Sequence, residues 1–281
     1  MIDFVSIIIP TFNRASIIGK AIQSVLDQSL PRWELIIIDD GSTDDTLNTI
    51  EAYLEDKRIK YFYQQNQGVS VARNLGVKKS IGNHLIFLDS DDFFFSYLLQ
   101  NLNEAKFWDY DLICWQVLKI IDGKKSIWKP KRLSGMYNHI TASFLAGSIC
   151  YRKDLFYKAG GYDPKMTNGQ NYELGMRVSQ RKDLKIKVLN KIFLQYEPKN
   201  SARSINSIKT VLISYFYQYK KHKLNYDKNP KAKAELYYIF GFGLQKVHKK
   251  TAALTQYKNS LRTNPWRLKP YVKVLYLYIF K

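Results

Sequence analysis

The first half of the chain repeats one pattern: a short apolar run, a polar loop, then a segment with helical spacing. Val5-Ser6-Ile7-Ile8-Ile9 is the first run, with Pro10 as its expected stop. Ala15 to Gln28 follows, with Ile17, Ile18, Ala21, Ile22, Val25 and Leu26 on one helical face. Leu35-Ile36-Ile37-Ile38 is the second run and ends in Asp39-Asp40-Gly41-Ser42; residues 44–54 predict a helix capped by Ser42 or Thr43. Ile59 to Tyr63 predicts a strand, Ser70 to Lys79 a helix, and Leu85-Ile86-Phe87-Leu88 a fourth strand. Apolar strands alternating with helices predict an α/β chain with a parallel sheet. Ligands bind beyond the carboxyl ends of such strands. Thr11-Phe12-Asn13-Arg14, Asp39-Asp40-Gly41-Ser42 and Asp89-Ser90-Asp91-Asp92 all fall there, so three loops converge on one crevice.

The pattern changes after residue 110. Residues 111–122 and 124–128 predict a hairpin around Asp122-Gly123. A strand over 148–152, a helix over 153–159, the turn Gly160-Gly161-Tyr162-Asp163-Pro164, a helix over 172–180 and a strand over 186–194 follow. This mixed half is expected to complete the crevice. Beyond residue 204 the chain reads as helical, and Ala253, Tyr257, Leu261 and Pro265 echo one tetratricopeptide-like hairpin. A single repeat cannot build a solenoid, because repeats bury their core against stacked neighbours. The expected organisation is an α/β domain over 1–203, with halves of about 1–110 and 111–203, and a basic helical region over 204–281. The last apolar segment, 271–280, is too short to span a bilayer. Two readings stay open for it: docking on the protein, or lying in a membrane interface.

At 281 residues and 46% apolar, the chain has room for one large domain plus an appendage. Its net charge of +20 is unevenly placed. Residues 201–281 hold 14 Lys and 3 Arg against Asp227 and Glu235, a surplus of 15, and the remaining 200 residues carry only +5. Lys outnumbers Arg by 33 to 11, which favours diffuse attraction over bidentate readout. Anionic membrane and nucleic acid are the partner classes this implies; nucleic acid is disfavoured because aromatic-plus-Arg stacking motifs are missing. Cys114 and Cys150 have no metal-type spacing and make no disulfide framework, so a reducing compartment is expected. Met1-Ile2-Asp3-Phe4 lacks the features of a signal peptide, and no apolar run reaches the roughly 18–20 residues of a span. The expected location is cytoplasmic, with the inner face of the plasma membrane as a peripheral site.

Three carboxylates in Asp89-Ser90-Asp91-Asp92 are costly at a strand end unless a cation meets them, and a hard divalent metal with oxygen ligands is the usual one. The alternative is a solvated acidic turn capping the next helix.

Four segments taken together resemble family 2 glycosyltransferases: residues 5–14, 33–44, Gln67-Gly68-Val69-Ser70-Val71-Ala72-Arg73-Asn74-Leu75-Gly76, and Leu88-Asp89-Ser90-Asp91-Asp92. They occur in the family's order and cover residues 4–95 densely. The resemblance implies the GT-A fold and a nucleotide-sugar donor. Pro10, Thr11 and Asn13 would line the nucleotide pocket, and Asp40 would accept a hydrogen bond from the base, typically uracil. Arg73 would lie near the nucleotide or its phosphates. Asp89, with Ser90 beside it, would meet the ribose or donor sugar, and Asp91 would hold Mn2+ or Mg2+.

Two positions depart from the family. Inverting members deprotonate the acceptor with the Asp of a Glu-Asp pair, and here those positions are Gln170-Asn171. An amide takes no proton at neutral pH. Asn171 would then orient the acceptor, with Asp92, Asp163 and Glu173 as candidate bases. A late or water-assisted proton transfer is the second option, and binding without efficient transfer the third. The segment Gln195 to Ser201 also lacks the family's metal-binding His, with Glu197 as a candidate replacement. The implied function is inverting transfer of one hexosyl or N-acetylhexosaminyl unit from a UDP-sugar to a glycan or polyprenyl-diphosphate-linked hydroxyl, in surface polysaccharide synthesis. The competing function is a nucleotide-sugar sensor or scaffold.

Overall fold

The structure, a computed structural model, describes residues 4–197 and 205–279. Strands β1 (Val5–Thr11), β2 (Trp33–Asp39), β3 (Ile59–Tyr63) and β4 (His84–Phe87) alternate with helices α1 (Ile18–Leu26), α2 (Thr46–Glu51) and α3 (Val69–Lys79). Next come β5 (Phe93–Phe94), α4 (Leu98–Glu104), β6 (Leu112–Ile121), β7 (Lys124–Trp128), β8 (Lys131–Arg132), β9 (Thr141–Ala142), β10 (Ile149–Arg152), α5 (Lys153–Lys158), α6 (Gln170–Val178) and β11 (Ile186–Tyr196). The chain ends in α7 (Ile205–Lys221), α8 (Lys223–Asp227), α9 (Pro230–Lys246), α10 (Lys250–Thr263) and α11 (Leu268–Ile279).

The main sheet runs β3-β2-β1-β4-β10-β6-β11-β5, with β7 paired to β6. The first four strands are mutually parallel; β10 is antiparallel to both its neighbours, and β11 is parallel to β6. Strand order reverses between β1 and β4, the topological switch point beyond whose carboxyl ends such sheets bind ligands. β1 does not stop at Pro10 but continues to Thr11 against β2. Its pairing with β4 ends at Ile8↔Phe87, so the N–H that proline lacks faces no ladder partner.

Every residue of β1 and β2 is buried, as a parallel sheet covered on both faces requires. Ile7, Ile9, Leu35 and Ile37 share a core with Ala21, Ile22 and Val25 of α1. On the opposite face α3 comes so close that a Cβ on Gly76 would collide with the Ile8 side chain. The hairpin forms as expected, with Asp122 (φ 49°) and Gly123 (φ 73°) both in the left-handed region that a two-residue turn demands. Helices α1 and α2 are shorter than expected, and the N-cap of α2 is Asp45, not Ser42 or Thr43. α6 begins at Gln170, two residues early, and β11 runs on to Tyr196.

The chain divides into two compact units. One holds the chain through Leu133, Ile140–Pro164, and Gln170 through β11; the other holds Ser134–His139, Lys165–Gly169 and the C-terminal helices. The boundary expected at 203/204 lies outside the described residues. In the helical unit Ala253, Tyr257 and Leu277 make a small core, and Tyr257 packs where a Cβ on Gly241 would fall. No helix of the described residues is long and apolar enough to cross a membrane. Cys114 and Cys150 are both free and buried.

Candidate nucleotide-sugar site

The loops after β1 and β2 are stitched together. Asp40 N donates to Thr11 O at 2.8 Å, Asn13 N to Ser42 Oγ at 2.9 Å, and Thr43 N to Asn13 Oδ1 at 2.8 Å. Asn13 adopts φ 53°, a left-handed conformation that Asn tolerates. Asp39 closes its own turn: Oδ1 accepts from Ser42 N at 2.7 Å and Oδ2 from the Tyr61 hydroxyl at 2.9 Å. Asp40 is buried and holds the next loop. Its Oδ1 accepts from Gln64 Nε2 at 2.6 Å and Gln67 N at 2.8 Å, and its Oδ2 from Gly68 N at 2.8 Å. One lone pair on Oδ2 remains for a ligand donor. Pro10 is buried in β1, while the Thr11 hydroxyl is buried without a hydrogen-bond partner, an orphan that a ligand group would relieve.

Arg73, on α3, is the hub. Its side chain is 4% exposed, and it ion-pairs through Nη2 with Asp89 Oδ1 at 2.5 Å. Its Nη1 donates to Asn171 Oδ1 at 3.5 Å, and its guanidinium lies 5.1 Å from the Tyr162 ring centroid. Nε has no partner. The Tyr162 hydroxyl also donates to Asn171 Oδ1, at 2.7 Å. Two donors on one oxygen fix the amide, so Asn171 presents Nδ2 as its uncommitted group. Asn74, one residue beyond Arg73, pins the Gly161-Tyr162 backbone: its Nδ2 donates to Tyr162 O at 2.8 Å and its Oδ1 accepts from Tyr162 N at 2.9 Å. The motif pattern singled out Arg73 but gave Asn74 and Tyr162 no role. Their signal was position, one beside Arg73 and one in the glycine turn before α6.

The carboxylates at the end of β4 differ sharply. Asp89 is part-exposed, Asp91 exposed, and Ser90 and Asp92 buried. Burial, then the charges of Asp89 and Asp91, push the Asp92 carboxyl up to about 9, although the Glu197 backbone N–H donates to it. Its Oδ2 is buried without a partner. A cation at Asp91 would relieve that repulsion, so these residues fit a divalent metal. Among the described residues no group of three or more His, Cys, Asp or Glu could hold a metal by itself. Glu197 is exposed, and residues 198–201 of the expected His-lacking segment lie outside the described residues.

On the acceptor side, Gln170 and Asn171 open α6 and are half-buried. Glu173 is fully buried and tied to Arg177, with Nε to Oε1 at 2.9 Å and Nη2 to Oε2 at 2.6 Å. Arg177 also donates to Ala159 O and Gly161 O. Glu173 thus braces the glycine turn, where Gly160 and Gly161 have φ 82° and 65°. Asp163 is half-buried with partners of its own.

The sequence profile of Glycosyl transferase family 2 matches residues 6–179. This chain belongs to that family. The likeness to curated members covers about a third of the chain: 50% identity over 91 residues to an uncharacterized glycosyltransferase of Rickettsia felis, covering 32% of this chain and 15% of that one. A putative teichuronic acid biosynthesis glycosyltransferase, TuaG of Bacillus subtilis, is 46% identical over 90 residues, 31% of this chain and 36% of its own. A GalNAc(5)-diNAcBac-PP-undecaprenol beta-1,3-glucosyltransferase of Campylobacter jejuni is 41% identical over 107 residues, 36% and 35% of the two chains. The match therefore spans well under half the length of each of these relatives. S. aureus TarS, solved with UDP-GlcNAc, superposes with a TM-score of 0.64 over 92% of this chain and 81% of that chain at 17% identity. That likeness shows the GT-A fold with a helical C-terminal region.

Proposed function

We propose that the chain transfers one sugar from a UDP-sugar to a hydroxyl of a glycan or lipid-diphosphate-linked acceptor, with inversion. The observation that supports it is the hub: one buried arginine, Arg73, joins Asp89 at the β4 end to Asn171 at the start of α6. In this reading the remaining lone pair of Asp40 receives the uracil N–H, beside Pro10, Thr11 and Asn13. Asp89 turns its second oxygen to the ribose or donor sugar, next to Ser90. Mn2+ or Mg2+ held by Asp91 supplies charge neutralisation for the departing diphosphate. The acceptor oxygen attacks the anomeric carbon as the bond to the diphosphate breaks, and the hydroxyl proton leaves late, to water. Asn171, with Gln170 beside it, orients the sugars through Nδ2–H. Of the three candidate bases, Glu173 is spent on Arg177, burial and the neighbouring carboxylates push the Asp92 carboxyl up, and Asp163 is half-buried with partners of its own.

That missing base also favours a second reading, a nucleotide-sugar sensor without efficient turnover. A panel of nucleotide sugars separates the two. The expected result is metal-dependent melting stabilisation by UDP and UDP-sugars, with donor hydrolysis or transfer. Stabilisation by a different nucleotide alone would sink the UDP assignment, and tight UDP binding with no turnover on any acceptor would leave the sensor.

A further inference from the structure

We infer that α11 is a membrane-docking helix, lying in the headgroup region of an anionic bilayer. The sequence left open whether this segment packs on the protein or on a membrane; the helix has a side for each. Pro270, Val274 and Leu277 face inward, with Val274 and Leu277 packed at the Ala253–Tyr257 core. On the other side Leu268, Tyr271, Val272, Leu275, Tyr276 and Ile279 are exposed. At 100° per residue these six fall on one continuous arc opposite the packed positions. Trp266, just before the helix, is 89% exposed. An apolar stripe with Trp and Tyr at its edge is the composition of an interfacial helix. Twelve residues rise about 18 Å, far short of a bilayer core of about 30 Å, so the helix lies on a membrane and does not cross it.

Charge selects the partner. Lys269 and Lys273 follow one border of the stripe on the helical wheel. On the other border Lys258 Nζ lies 5.5 Å from the Tyr278 ring centroid. Lys273 and Lys246 lie 5.5 and 5.7 Å from the ring of Phe242, which is itself exposed. The two acidic residues of this region are already spent, Asp227 on Lys233 at 2.6 Å and Glu235 on Arg267. Residues 201–281 carry a net surplus of 15 positive charges, which repels a second copy and attracts anionic lipid.

The test is flotation of the whole chain with phosphatidylcholine vesicles, with and without phosphatidylglycerol. Binding should be at least tenfold stronger to the anionic vesicles and fall as salt rises. Val272→Glu with Leu275→Glu, both on the open side, should abolish it. Lys258→Gln with Lys273→Gln should weaken it about fivefold per lysine and decides the matter if the glutamate pair does not fold. UDP-induced stabilisation, measured on the same samples, should be unchanged, so failure here is distinguishable from failure of the donor site. Unchanged flotation of both variants, wild-type indifference to phosphatidylglycerol, or a dimer that the glutamate pair splits would each overturn the inference.

Discussion

In the proposed reaction the residue that most limits the chemistry is Asn171. Its Oδ1 accepts from Tyr162 and Arg73, so the amide is held in one orientation. An aspartate there would inherit both donors on one oxygen and present the other where Nδ2 now stands. Asn171→Asp is therefore expected to raise kcat for transfer by about 10² or more, the low end of what a general base contributes. The gain should appear as pH rises through the carboxylate range, around pH 4 to 5. Asn171→Ala should lower transfer at least tenfold while UDP affinity holds. Steady-state kinetics across pH, with UDP binding measured in parallel, check both. An aspartate variant no faster than wild type would remove position 171 from the reacting centre.

At the scale of elements, one buried carboxylate ties the amino end of the sheet together. Glu34 at the start of β2 accepts from Ser6 Oγ at 2.6 Å, Lys60 Nζ at 2.8 Å and Ile81 N at 2.6 Å, joining β1, β3 and the turn before β4. Burial alone would raise its carboxyl. The bonds from Lys60, Ser6 and Ile81, with the Lys60 charge, outweigh that and hold it below the ordinary 4.5. A depressed folded-state pKa contributes stability above the unfolded value and loses it as pH falls through the folded value. Glu34→Gln should cost about 1–3 kcal/mol near pH 7 and lessen the loss of stability on acidification below about pH 4.5. Urea unfolding at neutral and acid pH reads this; an unchanged acid slope would refute it. Much at this scale was legible in the sequence. Leu35 to Ile38 and Leu85 to Leu88 are uniformly apolar because they are covered on both faces, and their polar ends mark the crevice. The antiparallel insertion of β10 between β4 and β6 was not legible, because pairing across more than sixty residues leaves no local pattern. Nor was the commitment of Glu173 to Arg177, since i,i+4 spacing permits a pair without requiring one.

At the scale of the whole molecule, two compact units carry different physical characters. The sheet unit holds the proposed donor site and is nearly charge-balanced; the helical unit holds most of the net positive charge around a smaller core. Units with separate cores need not unfold together, and a ligand stabilises only the unit that binds it. UDP at about 100 times its dissociation constant should add about 2.7 kcal/mol to the sheet unit. For a unit of this size that is a rise of roughly 5–10 °C in its melting temperature. Scanning calorimetry should then show two transitions, with UDP and Mn2+ moving the one that belongs to the sheet and leaving the helical one in place. Arg73→Met should cancel the shift, because it removes the cation that joins Asp89 to Asn171 and leaves the Asp89 carboxylate without its ion-pair partner. A single transition that UDP moves as a whole would mean that the units unfold as one cooperative body. A shift confined to the helical transition would place the nucleotide in the wrong unit and overturn the donor site with it.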